Sequence, residues 1–256
     1  MPVGSEIVGL VPKKAIEMAA DYFLQLENFS PAQVFENKLA AALTGSPLQA
    51  QQEGNLAKLA RPFLDAVAEP TATPGGGSVS AFAAALAASL GQMVAGLSRK
   101  KKSQVMHVDK LSEHVDALRK EADALAAAID HDATSYDAVM AAFKLAQGTG
   151  EEIQQRDDAI QKATRGAAEV PLRVAERTVA LFERLKQLEA ISAASMKSDL
   201  QVARLMAVAG AQGALANVEI NLDSIKDASY VLTVRGKVAA LREKLVESPQ
   251  AQSGGK

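Results

Sequence analysis

Four short runs in this 256-residue chain hold residue types and spacings that could do chemistry. Asp130-His131-Asp132 sets two carboxylates at i, i+2, which on a helix point about 200° apart, so at most one can face a given pocket. The neighbours Ala126, Ala127, Ile129, Ala133 and Tyr136 are apolar, a setting that tunes a carboxylate for general acid/base duty. The plainer reading is a bend whose aspartates cap backbone N–H groups, and residue chemistry alone leans that way. Pro74-Gly75-Gly76-Gly77-Ser78 is a turn without side-chain shielding, and it opens an alanine-rich helix from about Ser78. Free N–H groups and the positive dipole end at such an N-terminus suit an anion, whereas close helix packing through alanine and glycine is the structural alternative. The Gly-Lys-Ser/Thr ending of a P-loop is missing. Ser198-Asp199 precedes an apolar-periodic run and reads first as a helix N-cap. Asn217 and Asn221 share one helical face at i, i+4, where amides can satisfy a helix end or read the edge of a heterocycle.

Other chemistries are excluded or weak. There is no cysteine, so disulfides, thiolate metal sites and a cysteine nucleophile are ruled out. His107, His114 and His131 are the only imidazoles; His107 and His114, seven apart on one face, are too distant to share a metal and are expected at the surface. No metal site is expected. A net charge of −2 gives no sign of nucleic-acid binding. The most apolar stretch, 82–97, is too short and too rich in Ala and Gly for a membrane span, and no signal peptide is apparent, so the expectation is a cytoplasmic protein.

The elements that must position these residues are helices. Aromatics are 4% of the chain and tryptophan is absent, so Ala and Leu fill the core, which favours close helix–helix packing. Periodicity predicts helices over about 55–68 (interrupted by Pro62), 78–98, 104–146 with a bend near Asp130–Asp132, 151–189, 191–216 and 223–246. Pro171 within Val170-Pro171-Leu172 implies a kink. The fold class is therefore an all-α bundle of long helices. Before it, residues 3–10 read as one short strand without partners, followed by helices over 12–27 and 31–43. Residues 46–54 read as a linker, 55–247 as the helical domain and 248–256 as a disordered tail.

Taken in order, Pro74-Gly75-Gly76-Gly77-Ser78-Val79, Asp130-x-Asp132-Ala133-x-x-Tyr136, Val170-Pro171-Leu172, Ser198-Asp199-Leu200-Gln201-Val202-Ala203 and Asn217-Val218-x-x-Asn221-Leu222 resemble the cyclodeaminase domain of formimidoyltransferase-cyclodeaminases. That family also includes methenyltetrahydrofolate cyclohydrolases. Gly4-Ser5-Glu6-Ile7-Val8-Gly9-Leu10-Val11-Pro12 is similar to the end of the formimidoyltransferase domain, so 1–45 reads as its strand-helix remnant and no transferase activity is expected.

The resemblance implies closure of 5-formimidoyltetrahydrofolate to 5,10-methenyltetrahydrofolate with release of ammonia, a lyase step of one-carbon metabolism and histidine degradation. Asp132 would be the catalytic acid/base, with Asp130, Ser198 and Asp199 supporting it. Pro74, Gly75, Gly76, Gly77, Ser78, Asn217 and Asn221 would bind the folate, and Lys100, Lys101 and Lys102 would attract its glutamate tail, which can be a polyglutamate. No cofactor beyond the tetrahydrofolate substrate is implied, and the expected assembly is a homodimer or higher homo-oligomer. The alternatives are a cyclohydrolase on the same scaffold, in which water attacks the methenyl carbon, or a non-catalytic assembly partner of a separate formimidoyltransferase. The basic run is followed by Ser103-Gln104 where relatives carry an aromatic residue, and His131 stands where they carry a small one.

Overall fold

Six α-helices span the residues that the computed structural model describes, which are 56–245 and Phe23. They are Ala57–Ala68 (α1), Gly76–Arg99 (α2), Val108–Phe143 (α3), Gly150–Glu189 (α4), Lys197–Leu222 (α5) and Ala228–Lys244 (α6). Short 3₁₀ turns, Lys102–His107 and Ala194–Met196, lead into α3 and α5, and no strand occurs among the described residues. The expected strand at 3–10, the second helix over 31–43, the linker and the tail lie outside the described residues; Phe23, within the first expected helix, is helical. The chain divides into two compact units, Met1–Leu64 and Asp65–Lys256, at a point inside α1. α1 holds Pro62 without interruption, contrary to the sequence expectation, and buries none of its residues.

The second unit is a four-helix bundle with α6 lying against α4 and α5. α2 packs between α3 and α5, and α4 closes the ring against both. Cross-helix bonds show that neighbours run antiparallel. Arg156 Nε donates to the Phe143 carbonyl and Arg177 Nη1 to Glu121, which sets α3 against α4. Arg204 Nη1 donates to Glu189 and Asn221 Nδ2 to the Ala167 carbonyl, which sets α4 against α5.

Two kinds of seam hold the ring. Leu111, Leu118 and Leu125 form a seven-residue stripe on α3, fully buried with Phe182, Leu185 and Leu188 of α4. Between α2 and α5 the contact is made of Ala and Gly. A Cβ on Gly210 would lie 2.9 Å from the Ser80 carbonyl oxygen and 3.0 Å from the Ala84 nitrogen, so the two backbones are in near contact there. By length and apolarity alone α2 would suffice to cross a membrane, longer than the 82–97 stretch read from sequence. Ala81, Ala84, Ala88 and Ala95, all fully buried in the bundle, account for that apolarity.

Several boundaries differ from expectation for physical reasons. α2 begins at Gly76, so two of the three glycines sit in its first turn instead of a loop. α3 runs unbroken through Asp130–Asp132; the hydroxyls of Thr134 and Ser135 bond to the Asp130 and Asp132 carbonyls, while neither aspartate caps a helix. α4 likewise continues through Pro171, and a Thr149–Glu152 capping box starts it. α5 begins later than periodicity suggests and continues to Leu222, carrying both asparagines. His114, expected at the surface, is buried between α3 and α4 at 9% exposure, and its Nδ1 has no hydrogen-bond partner among the described residues. Burial, then the Arg184 guanidinium, hold its pKa below the ordinary 6.5, with Glu113 opposing.

Candidate active site

The stripe Leu111–Leu118–Leu125 puts its next seven-residue position at Asp132, so a carboxylate stands where the pattern calls for a core leucine. That substitution is the clearest local signal of function in the chain. What receives the carboxylate is the first turn of α2. Gly77 is fully packed against it: an added Cβ would overlap the Asp132 carboxyl group, so only glycine fits while Asp132 holds this position. The hydroxyl of Ser78, with no exposure, lies 3.0 Å from Asp132 Oδ2 and 3.2 Å from the Ile129 carbonyl oxygen, and donates to one or the other. The first intrahelical bond runs from the Val79 N–H to the Gly75 carbonyl, which leaves the N–H groups of Gly76, Gly77 and Ser78 without helical acceptors. A negative group therefore sits at the positive end of α2.

α4 and α5 reach the same level. Pro171 has no N–H, so the Ala167 carbonyl four residues back has no donor within α4. Asn221 Nδ2 donates to that carbonyl at 3.2 Å and also to the Asn217 carbonyl at 2.8 Å. Asn217 Nδ2 donates to the Gly213 carbonyl at 2.9 Å, and its amide would meet a Cβ on Gly76 at 3.3 Å. Both amides thus spend donors on backbone, and the Asn217 amide lies against the first turn of α2. Gly76, Gly77, Ser78, Asp132, Asn217 and Asn221 come together from three helices, with the proline-freed carbonyl of the fourth. Pro74 and Gly75 lead into this turn, Thr73–Pro74 being a cis bond. Asp130 is exposed, and its carbonyl accepts from the Thr134 hydroxyl.

Asp132 is half-buried, not enclosed, because Ala126, Ala127 and Tyr136 face outward on a helix with neighbours on only two sides. Between the C-terminal half of α3 and the N-terminal half of α4 lies an open groove of about 770 Å³. His131 and Ser135, on either side of Asp132 in sequence, line it together with small residues such as Ala138, Ala163 and Gly166, whereas Asp132 itself does not. No cluster of His, Asp and Glu able to hold a metal occurs among the described residues.

The remaining predicted residues sit elsewhere. Ser198 and Asp199 occupy the first turn of α5 without capping it. The backbone N–H of Ala193, just ahead of them, donates to Ser98 Oγ at 2.9 Å, which ties them to the C-terminal end of α2 beside Lys100, Lys101 and Lys102. The 24 residues of α2 separate that end from Gly76 by about 36 Å at 1.5 Å per residue. Sequence reading grouped the two ends as one site; within one chain they are two.

Comparison with known proteins bears on what the arrangement does. Residues 60–240 match the family model described as formiminotransferase-cyclodeaminase. The chain is 37% identical over 260 residues to a formimidoyltransferase-cyclodeaminase of Gallus gallus, with 94% of this chain and 48% of that protein aligned. It is 32% identical over 200 residues to a methenyltetrahydrofolate cyclohydrolase of Methylorubrum extorquens, covering 74% of this chain and 95% of that one. A crystal structure of formiminotetrahydrofolate cyclodeaminase from Thermotoga maritima superposes with a TM-score of 0.65 at 28% identity, over 72% of this chain and 88% of that one. The chain spans about half the length of the formimidoyltransferase-cyclodeaminases it matches.

Proposed function

The chain belongs to the formiminotransferase-cyclodeaminase family, through the C-terminal cyclodeaminase part, and we propose that it closes 5-formimidoyltetrahydrofolate to 5,10-methenyltetrahydrofolate with release of ammonia. The observation that carries this reading is the half-buried Asp132 carboxylate, held by the Ser78 hydroxyl against Gly77 at the start of α2. In the reaction N10 attacks the formimidoyl carbon, the N10 proton must leave, and the amine must gain a proton to depart as ammonia. Asp132 takes the first proton and delivers it to the amine, so one carboxylate serves both halves of the step. On this reading the N–H groups at the start of α2 and the Asn217 and Asn221 amides orient the pterin ring. No step requires a metal or redox cofactor.

A second reading has its own support. The cyclohydrolase relative is matched over 95% of its length, whereas the bifunctional relatives are matched over half. On that reading water adds to the methenyl carbon and Asp132 acts as the base. One absorbance assay separates the two, because the methenyl compound absorbs in the near ultraviolet: absorbance rises with ammonia release for the cyclodeaminase and falls for the hydrolase. Asp132→Asn should keep the fold and lose about 100-fold or more in kcat for either reaction. Normal turnover by that variant would remove Asp132 from the chemistry, and no turnover by the wild type would favour the assembly-partner role.

A further inference from the structure

Where the first turn of α2 meets α5, the two helices clasp each other through a pair of matching contacts. On α2 the Ser80 hydroxyl donates to the Gly76 carbonyl at 2.6 Å, and on α5 Asn217 Nδ2 donates to the Gly213 carbonyl at 2.9 Å. The helices run antiparallel there, so each polar side chain lies on the other helix's glycine. A Cβ on Gly213 would overlap the Ser80 hydroxyl, and a Cβ on Gly76 would stand 3.3 Å from Asn217 Nδ2. Asn217 belongs to the site described above; Ser80 and Gly213 have no role in it so far.

Packing alone does not ask for a serine facing a glycine at this level. Ser80 is 5% exposed on a helix whose Ala81, Ala84 and Ala88 are fully buried. Alanine at 80 would have the higher helix propensity and no hydroxyl to satisfy. Glycine at 213, inside α5, is likewise a weak helix former. Helix stability is thus given up at two facing positions, one turn from the residues that hold Asp132. The Gly76 carbonyl and the Gly77 N–H are the two ends of one planar peptide unit. A hydroxyl that donates to the carbonyl fixes that plane and polarises the N–H, which makes it a stronger donor. The Gly77 N–H is one of the three at the start of α2 without a helical acceptor, and Gly77 is the residue packed on the Asp132 carboxyl group.

Resting on the reaction reading above, we propose that Ser80 is a positioning residue for that reaction. Acting through the Gly76 carbonyl, its hydroxyl sets the orientation and donor strength of the Gly77 N–H, and Gly213 leaves the space that the hydroxyl occupies. Neither residue touches the reacting atoms. Ser89 supplies the control, because its hydroxyl bonds the Ala85 carbonyl at 2.9 Å in the same way, nine residues farther along α2 at an exposed position.

The test compares wild type, Ser80→Ala, Gly213→Ala, the double variant and Ser89→Ala in the methenyl absorbance assay and in urea melts. Ser80→Ala should keep the wild-type urea midpoint and lose about tenfold in kcat, with KM within about twofold, because every group that touches the substrate remains and only alignment is lost. Gly213→Ala should lose at least as much, since its methyl group drives the hydroxyl off the carbonyl. The double variant should match Ser80→Ala, because the methyl group then fills the space the hydroxyl left. Ser89→Ala should match wild type in kcat, KM and midpoint. Wild-type kcat in Ser80→Ala, an equal loss in Ser89→Ala, a double variant in which the two losses multiply, or a Ser80→Ala chain that does not fold would overturn the positioning role alone. A wild type that turns over neither 5-formimidoyltetrahydrofolate nor the methenyl compound would overturn the reaction reading, and the positioning role with it.

Discussion

Gly77→Ala separates the needs of the fold from those of the site. The added methyl group would overlap all three carboxyl atoms of Asp132, so the carboxylate must swing away and release the Ser78 hydroxyl. Stability should change little. The lost hydrogen bond costs about 1 kcal/mol, and replacing glycine by alanine within a helix returns about the same. The group that yields is the free end of a half-buried side chain, not packed core. Activity should change a great deal, since moving an acid/base group by an ångström or more costs on the order of 100-fold. Urea denaturation would read the first quantity and the methenyl absorbance assay the second. Gly91→Ala supplies the contrast: its methyl group would be driven into Leu185 in the core, at a cost of about 1–3 kcal/mol with turnover per folded molecule unchanged. If Gly77→Ala turned over at the wild-type rate while Asp132→Asn did not, the Gly77 contact would not be what sets the position of the carboxylate. A stability loss above about 3 kcal/mol would refute the claim that the fold tolerates the change.

Three further outcomes follow from the same geometry. Asn221→Leu should cost about 1–3 kcal/mol by leaving the buried Ala167 carbonyl without a donor; adding Pro171→Ala restores an N–H to that carbonyl, so the double variant should be more stable than the sum of the singles, and strict additivity in urea melts would disprove the pairing. His114 has a depressed pKa, so the unfolded chain takes up its proton first: the stability it permits is complete above pH 6.5 and is lost as pH falls from there toward the folded-state value. The slope is at most about 1.4 kcal/mol per pH unit for one proton, and His114→Leu should flatten the melting temperature between pH 7 and pH 5.5; an unchanged profile would show that His114 does not titrate on unfolding. Finally, α2 leaves Val79, Leu86 and Met93 exposed at seven-residue spacing, and its neighbour α5 leaves Val202, Leu205 and Ile220 exposed. Such rows fit a second copy of the chain, so light scattering should give twice the 26.8 kDa monomer mass and Leu86→Glu should reduce it, whereas a monomeric wild type would rule the dimer out.

Helix content was legible because the chain writes it locally: apolar residues at helical spacing and few breakers led to α2 through α6 with ends shifted by a few residues, by six at either end of α5. The site was legible only in part, because its defining contacts join residues far apart in sequence. Glycine at 77 was assigned to a turn, and nothing near it in the sequence announces that a carboxylate 55 positions later needs the space. Proline at 171 was read as a kink; its consequence is an orphan carbonyl whose donor is an asparagine 50 residues on. Two signals were nevertheless open to inspection. One is the stripe Leu111–Leu118–Leu125–Asp132, in which a charged residue at a core position marks a place where packing has been given up for chemistry. The other is the length of α2. A helix of 24 residues is about 36 Å long, so once Gly76–Ser78 is placed at Asp132, the basic run after Arg99 of the same chain stands at the opposite end of the bundle from that carboxylate.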